Sequence, residues 1–317
     1  MRLLITGGAG FIGSNLARLA LDHGHHVVII DDLSTGYRHN VEGLDVDFHE
    51  ASILDEHALS RAVQDVDAVT HLSALGSVPR SIADPAATHE ANATGTLRVI
   101  EAVRAAGGPH LTVASSSSVY GMNPAMPKSE REWIRAMSPY AVSKIAAEQY
   151  ALAAQQSFGL ETLAFRFFNV YGPGQMPGHV YAAVIPIFLE HLLQKLPLPI
   201  NGDGSNSRDF TFVGTVCRTL LDAAVRRVVH TEPVNLAFGT NVSLMALIDE
   251  IRRTSGENPS VIHQPPRVGD VPHSQADNAT LRSLFPDVEA VPLGEGLRQT
   301  LNWFINDLPA LRSTDLH

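Results

Sequence analysis

Thr6-Gly7-Gly8-Ala9-Gly10-Phe11-Ile12-Gly13 follows the apolar run Leu3-Leu4-Ile5 and leads into a segment, residues 11–23, with helical apolar spacing that closes at Gly24. A strand, a glycine turn and a helix in that order make a place to lay a pyrophosphate. The first glycines allow a tight turn and close backbone approach, Gly13 lets the helix pack on the strand, and the helix N-terminus offers amide donors and a partial positive charge. A second apolar run, Val27 to Ile30, ends at Asp31-Asp32, so Asp31 lies 18 residues after Gly13. That is the context a dinucleotide fingerprint demands. A carboxylate at Asp31 accepts hydrogen bonds from ribose hydroxyls and repels a 2′-phosphate. The expected cofactor is therefore NAD rather than NADP.

Outward from this unit the alternation continues. Val46-Asp47-Phe48 reads as a third strand and Ala68 to Leu72 as a fourth. Residues 86–106 read as a long helix stopped by Gly107-Gly108, and Leu111 to Ala114 as a fifth strand opening into Ser115-Ser116-Ser117-Ser118. Residues 140–157 read as another helix and Thr162 to Phe167 as a sixth strand. Such alternation predicts an α/β fold with a doubly wound parallel sheet of Rossmann type. After Asn169 the pattern changes. Tyr171 to Gly178 and Lys195 to Asp209 are punctuated by Gly and Pro and read as loops. A helix near 214–227 and the apolar run Val234 to Phe238 return to the first pattern. The expected division is a nucleotide-binding domain of 1–169 plus about 210–239, and a smaller α/β substrate domain of about 170–209 plus 240–317.

The chain has 317 residues, 44% of them hydrophobic, with 23 Lys and Arg against 33 Asp and Glu, a formal charge of −10. That is enough apolar matter for a full core, and the wrong sign for a general binder of nucleic acid or anionic membrane. Cys217 is the one cysteine, so no intrachain disulfide forms. A reducing, cytoplasmic setting is the expectation. Neither a signal peptide nor a membrane span is predicted. The fifteen histidines show no metal-ligand spacing, and no metal is expected.

Tyr140-Ala-Val-Ser-Lys144 puts a phenol and an ammonium one helical turn apart on one face. A free tyrosine titrates near pH ~10, and a base working near neutrality needs about 4 kcal/mol of help. Lys144 supplies one positive charge, and an oxidised nicotinamide ring would supply another. The serine run at the end of the fifth strand is placed to hold a substrate hydroxyl, because parallel sheets bind ligands at the carboxyl ends of their strands. These residues point to redox chemistry on a hydroxyl beside a nicotinamide.

The same residues resemble the extended short-chain dehydrogenases/reductases over nearly the whole chain. The resemblance rests on Gly7-x-x-Gly10-x-x-Gly13, Asp31, Asn92-Ala93-Thr94-Gly95-Thr96, the serine strand and Tyr140/Lys144. It extends to Arg166-Phe167-Phe168-Asn169-Val170-Tyr171-Gly172, Ser207-Arg208-Asp209-Phe210 and Arg267-Val268-Gly269-Asp270. Within that superfamily the chain is similar to NAD-dependent UDP-sugar 4-epimerases, most of all bacterial UDP-N-acetylglucosamine 4-epimerases. The shared stretches are Ala74-Leu75-Gly76-Ser77-Val78-Pro79-Arg80-Ser81, Tyr181 to Pro186, Ile200 to Gly204 and His273 to Asp277.

The resemblance implies Ser116, Tyr140 and Lys144 as catalytic residues. It implies an NAD site of Gly7, Gly10, Phe11, Ile12, Gly13, Asp31, Asp32, Ser34, Ser52, Ile53, Leu72, Ser73, Ala74, Asn92 and Phe167 with Tyr140 and Lys144. For a UDP-sugar it implies Gly76, Ser77, Ser116, Ser117, Asn169, Gln175, Ala183, Val184, Ile200 and Ser274, with Arg208 and Arg267 on the diphosphate and Asp270 on the ribose. Two arginines on an acidic chain suit a diphosphate. A homodimer through a four-helix bundle, from about 86–106 and 140–157, is implied as well.

Departures from the family pattern sharpen the reading. Ser274 stands where a bulky tyrosine restricts some epimerases, so its small side chain leaves room for a 2-acetamido group. Met176 stands where UDP-glucuronate 4-epimerases carry an arginine. Ser117 and Ser118 stand where nucleotide-sugar 4,6-dehydratases carry Asp and Glu, so elimination of water lacks an acid and a base. Ser52 replaces a carboxylate that commonly meets adenine, and Thr215 replaces a usual Asp with no functional account. Three other readings stay open: a UDP-glucuronate 4-epimerase, a dehydratase or dehydrogenase in which a 4-keto sugar goes forward, and a non-catalytic NAD-sensing module.

Overall fold

The structure is a computed structural model and describes residues 1–177, 183–265, 273–309 and 311. Six strands follow one another from the N-terminus: β1 (Arg2–Thr6), β2 (His26–Asp31), β3 (Val46–Glu50), β4 (Ala68–His71), β5 (His110–Ser116) and β6 (Thr162–Phe167). After them come β7 (Asn169–Tyr171), β8 (Leu198–Asn201), β9 (Ser207–Arg208), β10 (Phe210–Phe212), β11 (Val234–Leu236), β12 (Val242–Ser243) and β13 (Val261–Gln264). Seven of these form one parallel sheet in the order β11-β6-β5-β4-β1-β2-β3. The strand order reverses beside β1, and a ligand crevice opens at such a point.

Alternate residues of β1 divide between two cores. Leu3 and Ile5 belong to one and Leu4 to the other, as strand geometry requires. On one face, α1 (Phe11–Asp22) packs beside α8 (Val213–Val225). The other face carries α2 (Glu56–Ala62), α5 (Gly95–Ala105) and α6 (Pro139–Phe158), with α3 (Val78–Ala83) and α4 (Pro85–His89) along α6. Between α4 and α5 the chain makes one π-helical turn, Glu90–Thr94, so the helix expected over 86–106 is a single run with a wide turn inside it. Such turns recur at functional sites.

The loop expected over Lys195 to Asp209 is a correction. It contains β8, paired in parallel with β13, and β9, paired antiparallel with β12. β7 pairs with β10. These short ladders and α7 (Val184–Leu193), α9 (Leu244–Ser255), α10 (Ala279–Leu284) and α11 (Leu293–Asn306) complete the described chain. Ile200 on β8 and Phe210 on β10 join the same apolar core as Leu3 and Ile5. No described helix is long and apolar enough to cross a membrane.

Candidate active site

A cleft of about 850 Å³ runs along the carboxyl ends of β1, β2, β4, β5 and β6. Its first wall is the glycine turn. Gly7 sits at φ +72°, and a Cβ there would come within 2.7 Å of the Ser73 amide nitrogen. At Gly13 a Cβ would come within 2.3 Å of the Gly7 carbonyl oxygen, so this glycine is what lets α1 seat on the turn. Gly10 is less confined, its nearest neighbour being 3.2 Å away. No side chain caps the N-terminus of α1 at Gly10, so first-turn amides are left for an anion.

Asp31 ends β2 and is buried. One of its oxygens accepts from the Ala9 amide (2.9 Å) and the other from the Leu33 amide (2.8 Å). Burial pushes its carboxyl above the usual range, and the Leu33 and Ala9 amides pull it part of the way back. Each carboxylate oxygen keeps a lone pair for a ribose hydroxyl. An uncapped helix end, a glycine cradle and a terminal aspartate fit a dinucleotide, and the donor set fits NAD.

The second wall is built by β5 and α6. Ser138 caps α6 by accepting from the Ala141 amide (3.2 Å), and Pro139 fills the first helical position. That start fixes Tyr140 in the first turn with Lys144 one turn on. The Lys144 ammonium donates to the Ala114 carbonyl of β5 (2.8 Å), and burial pulls its pKa down to about 8. Tyr140 is half-buried and faces Ser116, whose own oxygen accepts from the Ser118 amide (3.2 Å) and hydroxyl (2.9 Å). Burial raises the Tyr140 phenol and the hydrogen bond to Ser116 lowers it, with a net rise. Without a second positive charge the phenol stays protonated.

Behind this wall lies a buried polar network that the sequence did not announce. Arg166 of β6 makes a two-point ion pair with Glu148 of α6 (2.7 and 2.9 Å), and Ser115 donates to the same carboxylate (2.8 Å). Further along, Thr96 donates to the Asn92 carbonyl (2.6 Å) and so accepts from His71 Nε2 (2.9 Å). His71 Nδ1 then accepts from the Thr6 hydroxyl (2.7 Å). The network assigns the Nε2–H tautomer. Burial, with the Lys144 charge adding to it, lowers the His71 pKa to about 3, so the ring is neutral.

The cleft is lined by Gly7, Gly10, Phe11, Ile12, Gly13, Asp31, Asp32, Ser34, Ser52, Ile53, Leu72, Ser73, Ala74 and Phe167 of the expected cofactor set. Ser116, Tyr140, Lys144, Gly76, Ser77, Ser117, Asn169, Gln175 and Ala183 line it too. Asn92 is not among these lining residues. It is buried behind the wall, where its amide grips both the Leu75 backbone N–H (2.8 Å) and C=O (3.2 Å) and the Ser143 hydroxyl (2.9 Å). It braces the loop after β4 rather than facing the cleft.

Ile200 is fully buried in the core beneath β8, and Val184, the first residue of α7, packs against that core. Neither lines the cleft. Arg208 and Ser274 lie together beyond it, the Ser274 amide donating to the Ser207 carbonyl (3.1 Å). Arg267 and Asp270 fall outside the described residues. Sequence reasoning missed Tyr37 and Arg80, which also line the cleft. Arg80 stood inside a stretch already singled out, whereas nothing in the sequence marked Tyr37. Among the described residues no cluster of metal-ligating side chains is present.

A family model described as the NAD dependent epimerase/dehydratase family matches residues 3–237. The chain is 37% identical to a UDP-glucose 4-epimerase of Mycolicibacterium smegmatis, over 96% of this chain and 99% of that one. Among solved structures it is similar to a UDP-N-acetylglucosamine 4-epimerase from Methanobrevibacter ruminantium in complex with UDP-N-acetylmuramic acid, with TM-score 0.91 and 34% identity over 96% of this chain and 98% of that one. A UDP-glucose 4-epimerase of Thermus thermophilus in complex with NAD gives TM-score 0.86 and 34% identity over 97% and 100%. The chain belongs to the NAD dependent epimerase/dehydratase family of extended short-chain dehydrogenases/reductases.

Proposed function

We propose that this enzyme interconverts the C4 epimers of a UDP-sugar, with UDP-N-acetylglucosamine and UDP-N-acetylgalactosamine as the preferred pair and UDP-glucose and UDP-galactose as a second. The observation that carries the reading is the meeting of Tyr140, Lys144 and Ser116 in one cleft with the glycine turn and Asp31. NAD held by the glycine turn and Asp31 would supply reversible hydride chemistry at C4. Tyr140 as phenolate removes the 4-OH proton, and Lys144 stabilises that phenolate by charge. Ser116 holds the same oxygen.

The transient 4-keto sugar turns about its phosphate linkage and offers its other face. The small residues Gly76, Ser77 and Ala183 leave it room. Arg208, Arg267 and Asp270 are proposed to anchor the nucleotide while the sugar turns. Gln175 offers a carbonyl oxygen without a partner among the described residues, at the cleft wall. A sugar hydroxyl or amide would satisfy it.

The substrate domain of this reading is the part after β6 other than α8 and β11, which return to the large sheet. The proposed dimer pairs the helices of about 86–106 and 140–157, and on α6 Val142 and Tyr150 are 54% and 43% exposed. Exposed apolar side chains on this helix suit a four-helix contact. The test is incubation of the purified protein with UDP-N-acetylglucosamine and, separately, UDP-glucose, with the C4 configuration of the products read by NMR. Faster conversion of the acetylated sugar is expected. A keto or unsaturated product from both would move the enzyme to the dehydratase reading.

A further inference from the structure

The four serines at the end of β5 do not share one job. Ser115 donates to the buried Glu148 carboxylate (2.8 Å). Ser116 and Ser117 line the cleft, and Ser118 does not. Ser118 reaches the reacting groups through Ser116. Its hydroxyl donates to Ser116 Oγ (2.9 Å), and its amide donates to the same oxygen (3.2 Å). A hydroxyl has one proton to give and two lone pairs to receive with. Both lone pairs of Ser116 Oγ are thus filled from Ser118. What Ser116 has left is its proton, and the group it meets is the Tyr140 phenol. The hydrogen bond between them favours the phenolate, as a bond donated to the ionised oxygen does. The protons therefore run one way, from Ser118 to Ser116 to Tyr140.

The segment that carries Ser118 is pinned from below. It is a 3₁₀ turn, Ser117–Tyr120, capped by Ser116. Val119 and Tyr120 are buried, the Tyr120 hydroxyl donates to Asn235 Oδ1 (2.7 Å), and the Arg166 guanidinium lies 4.8 Å over the Tyr120 ring. The Gly121 amide closes the turn on the Ser118 carbonyl (3.2 Å). On α6 itself the charged neighbour of Tyr140 is Lys144. The other charged groups of the described cleft lining are Asp31 and Asp32, at the end of β2, and Arg80 in α3. A change confined to the Ser118 hydroxyl leaves all of these in place.

We propose that Ser118 is a positioning residue: by filling the lone pairs of Ser116 it fixes that serine as a donor, so the proton leaving the sugar 4-OH goes directly to Tyr140 and not through Ser116. One O–H bond breaks at O4 and one forms at Tyr140 Oη. The hydride that leaves C4 with it is the one the proposed reaction already transfers. A serine with no free lone pair cannot take that proton, and it steadies the two oxygens between which the proton passes. This inference rests on the epimerase reading for its substrate.

Ser118→Ala keeps the amide and removes the hydroxyl, and Ser118→Thr keeps both. The test reads the phenolate of Tyr140 by near-ultraviolet absorbance as NAD-loaded protein is titrated with base, with Tyr140→Phe as the blank. Steady-state kinetics with UDP-N-acetylglucosamine and NAD affinity are measured in parallel. In Ser118→Ala the phenolate should appear about half to one pH unit higher, and kcat near neutrality should fall roughly three- to ten-fold, the worth of one hydrogen bond. KM and NAD affinity should stay within about two-fold. Ser118→Thr should track wild type, and in a Ser116→Ala background Ser118→Ala should add nothing, because it acts through that oxygen. An unchanged titration and kcat in Ser118→Ala would overturn the proposal. So would a further loss on top of Ser116→Ala, a loss shared equally by Ser118→Thr, or a rise in KM with kcat intact, which would put Ser118 on the substrate. Wild type that binds NAD but makes no epimer would bring down the epimerase reading and the proton route with it. The titration needs no sugar, and would still decide whether Ser118 acts on Tyr140 through Ser116.

Discussion

Glu148 and Arg166 form a two-point ion pair with side chains 0% and 3% exposed, one helical turn beyond Lys144 on the same face of α6. Burial draws the Arg166 pKa down, but the hydrogen bonds and charge of Glu148 outweigh it, and the guanidinium ends above its ordinary value. The pair joins α6 to β6, and Ser115 joins the same carboxylate to β5 beside Ser116. The axial position of Tyr140 and Lys144 against Ser116 is thus set by charges that never touch the cleft.

Removing one member strands the other in the core. Glu148→Ala should cost about 3–5 kcal/mol in urea unfolding, the usual penalty for an uncompensated buried charge. The double variant Glu148→Leu with Arg166→Met should recover much of that loss, because it leaves no charge behind. A single variant as stable as wild type would contradict the account.

Tyr140→Phe removes the proton acceptor and leaves the ring in place. Turnover should fall by ~10²–10⁴-fold, the usual worth of a general base, with NAD affinity little changed. Steady-state kinetics beside a cofactor titration checks both halves.

Lys144 gives the cofactor-free protein a pH signature. Its folded pKa is pulled from 10.5 to about 8 by burial. Unfolding between those values takes up a proton, so wild type gains stability relative to Lys144→Met as pH rises through that window. The gain should reach at most about 3 kcal/mol, and below about pH 8 the charged lysine carries the full burial cost. Urea unfolding of both proteins at several pH values measures it. A difference that stays flat with pH would show that Lys144 is not buried as described.

The glycines of the first turn should separate by substitution. Gly13→Ala drives a Cβ to within 2.3 Å of the Gly7 carbonyl and should destabilise the fold by about 1–3 kcal/mol. Gly10→Ala meets its nearest neighbour at 3.2 Å, so melting should change little while NAD affinity falls. Differential scanning calorimetry and cofactor titration on the two variants distinguish packing from ligand approach.

The parallel sheet was legible in the sequence because its strands are short apolar runs that end in residues with other work: Thr6 before the glycines, Asp31, and Ser115-Ser116. Tyr140 and Lys144 were legible because helical spacing alone puts them on one face. The ladders after β6 were not. β8 is four residues long with Pro199 inside it, and its partner β13 lies about sixty residues on, so neither length nor alternation marked it. Ile200 is expected at the ligand, and its side chain is buried in the core. Asn92 carried a family signal without a direction. Only the structure shows that its amide braces Leu75. Glu148 and Arg166 sit eighteen residues apart on different elements, and no local pattern pairs them.

The central claim is that hydrogen leaves C4 and returns to C4 of the same sugar. UDP-N-acetylglucosamine deuterated at C4, turned over in ordinary water, tests it directly by NMR and mass spectrometry of the product. The account predicts UDP-N-acetylgalactosamine that keeps its deuterium at C4. Epimer that has lost the label to solvent would contradict it, as would a labelled keto product with no epimer.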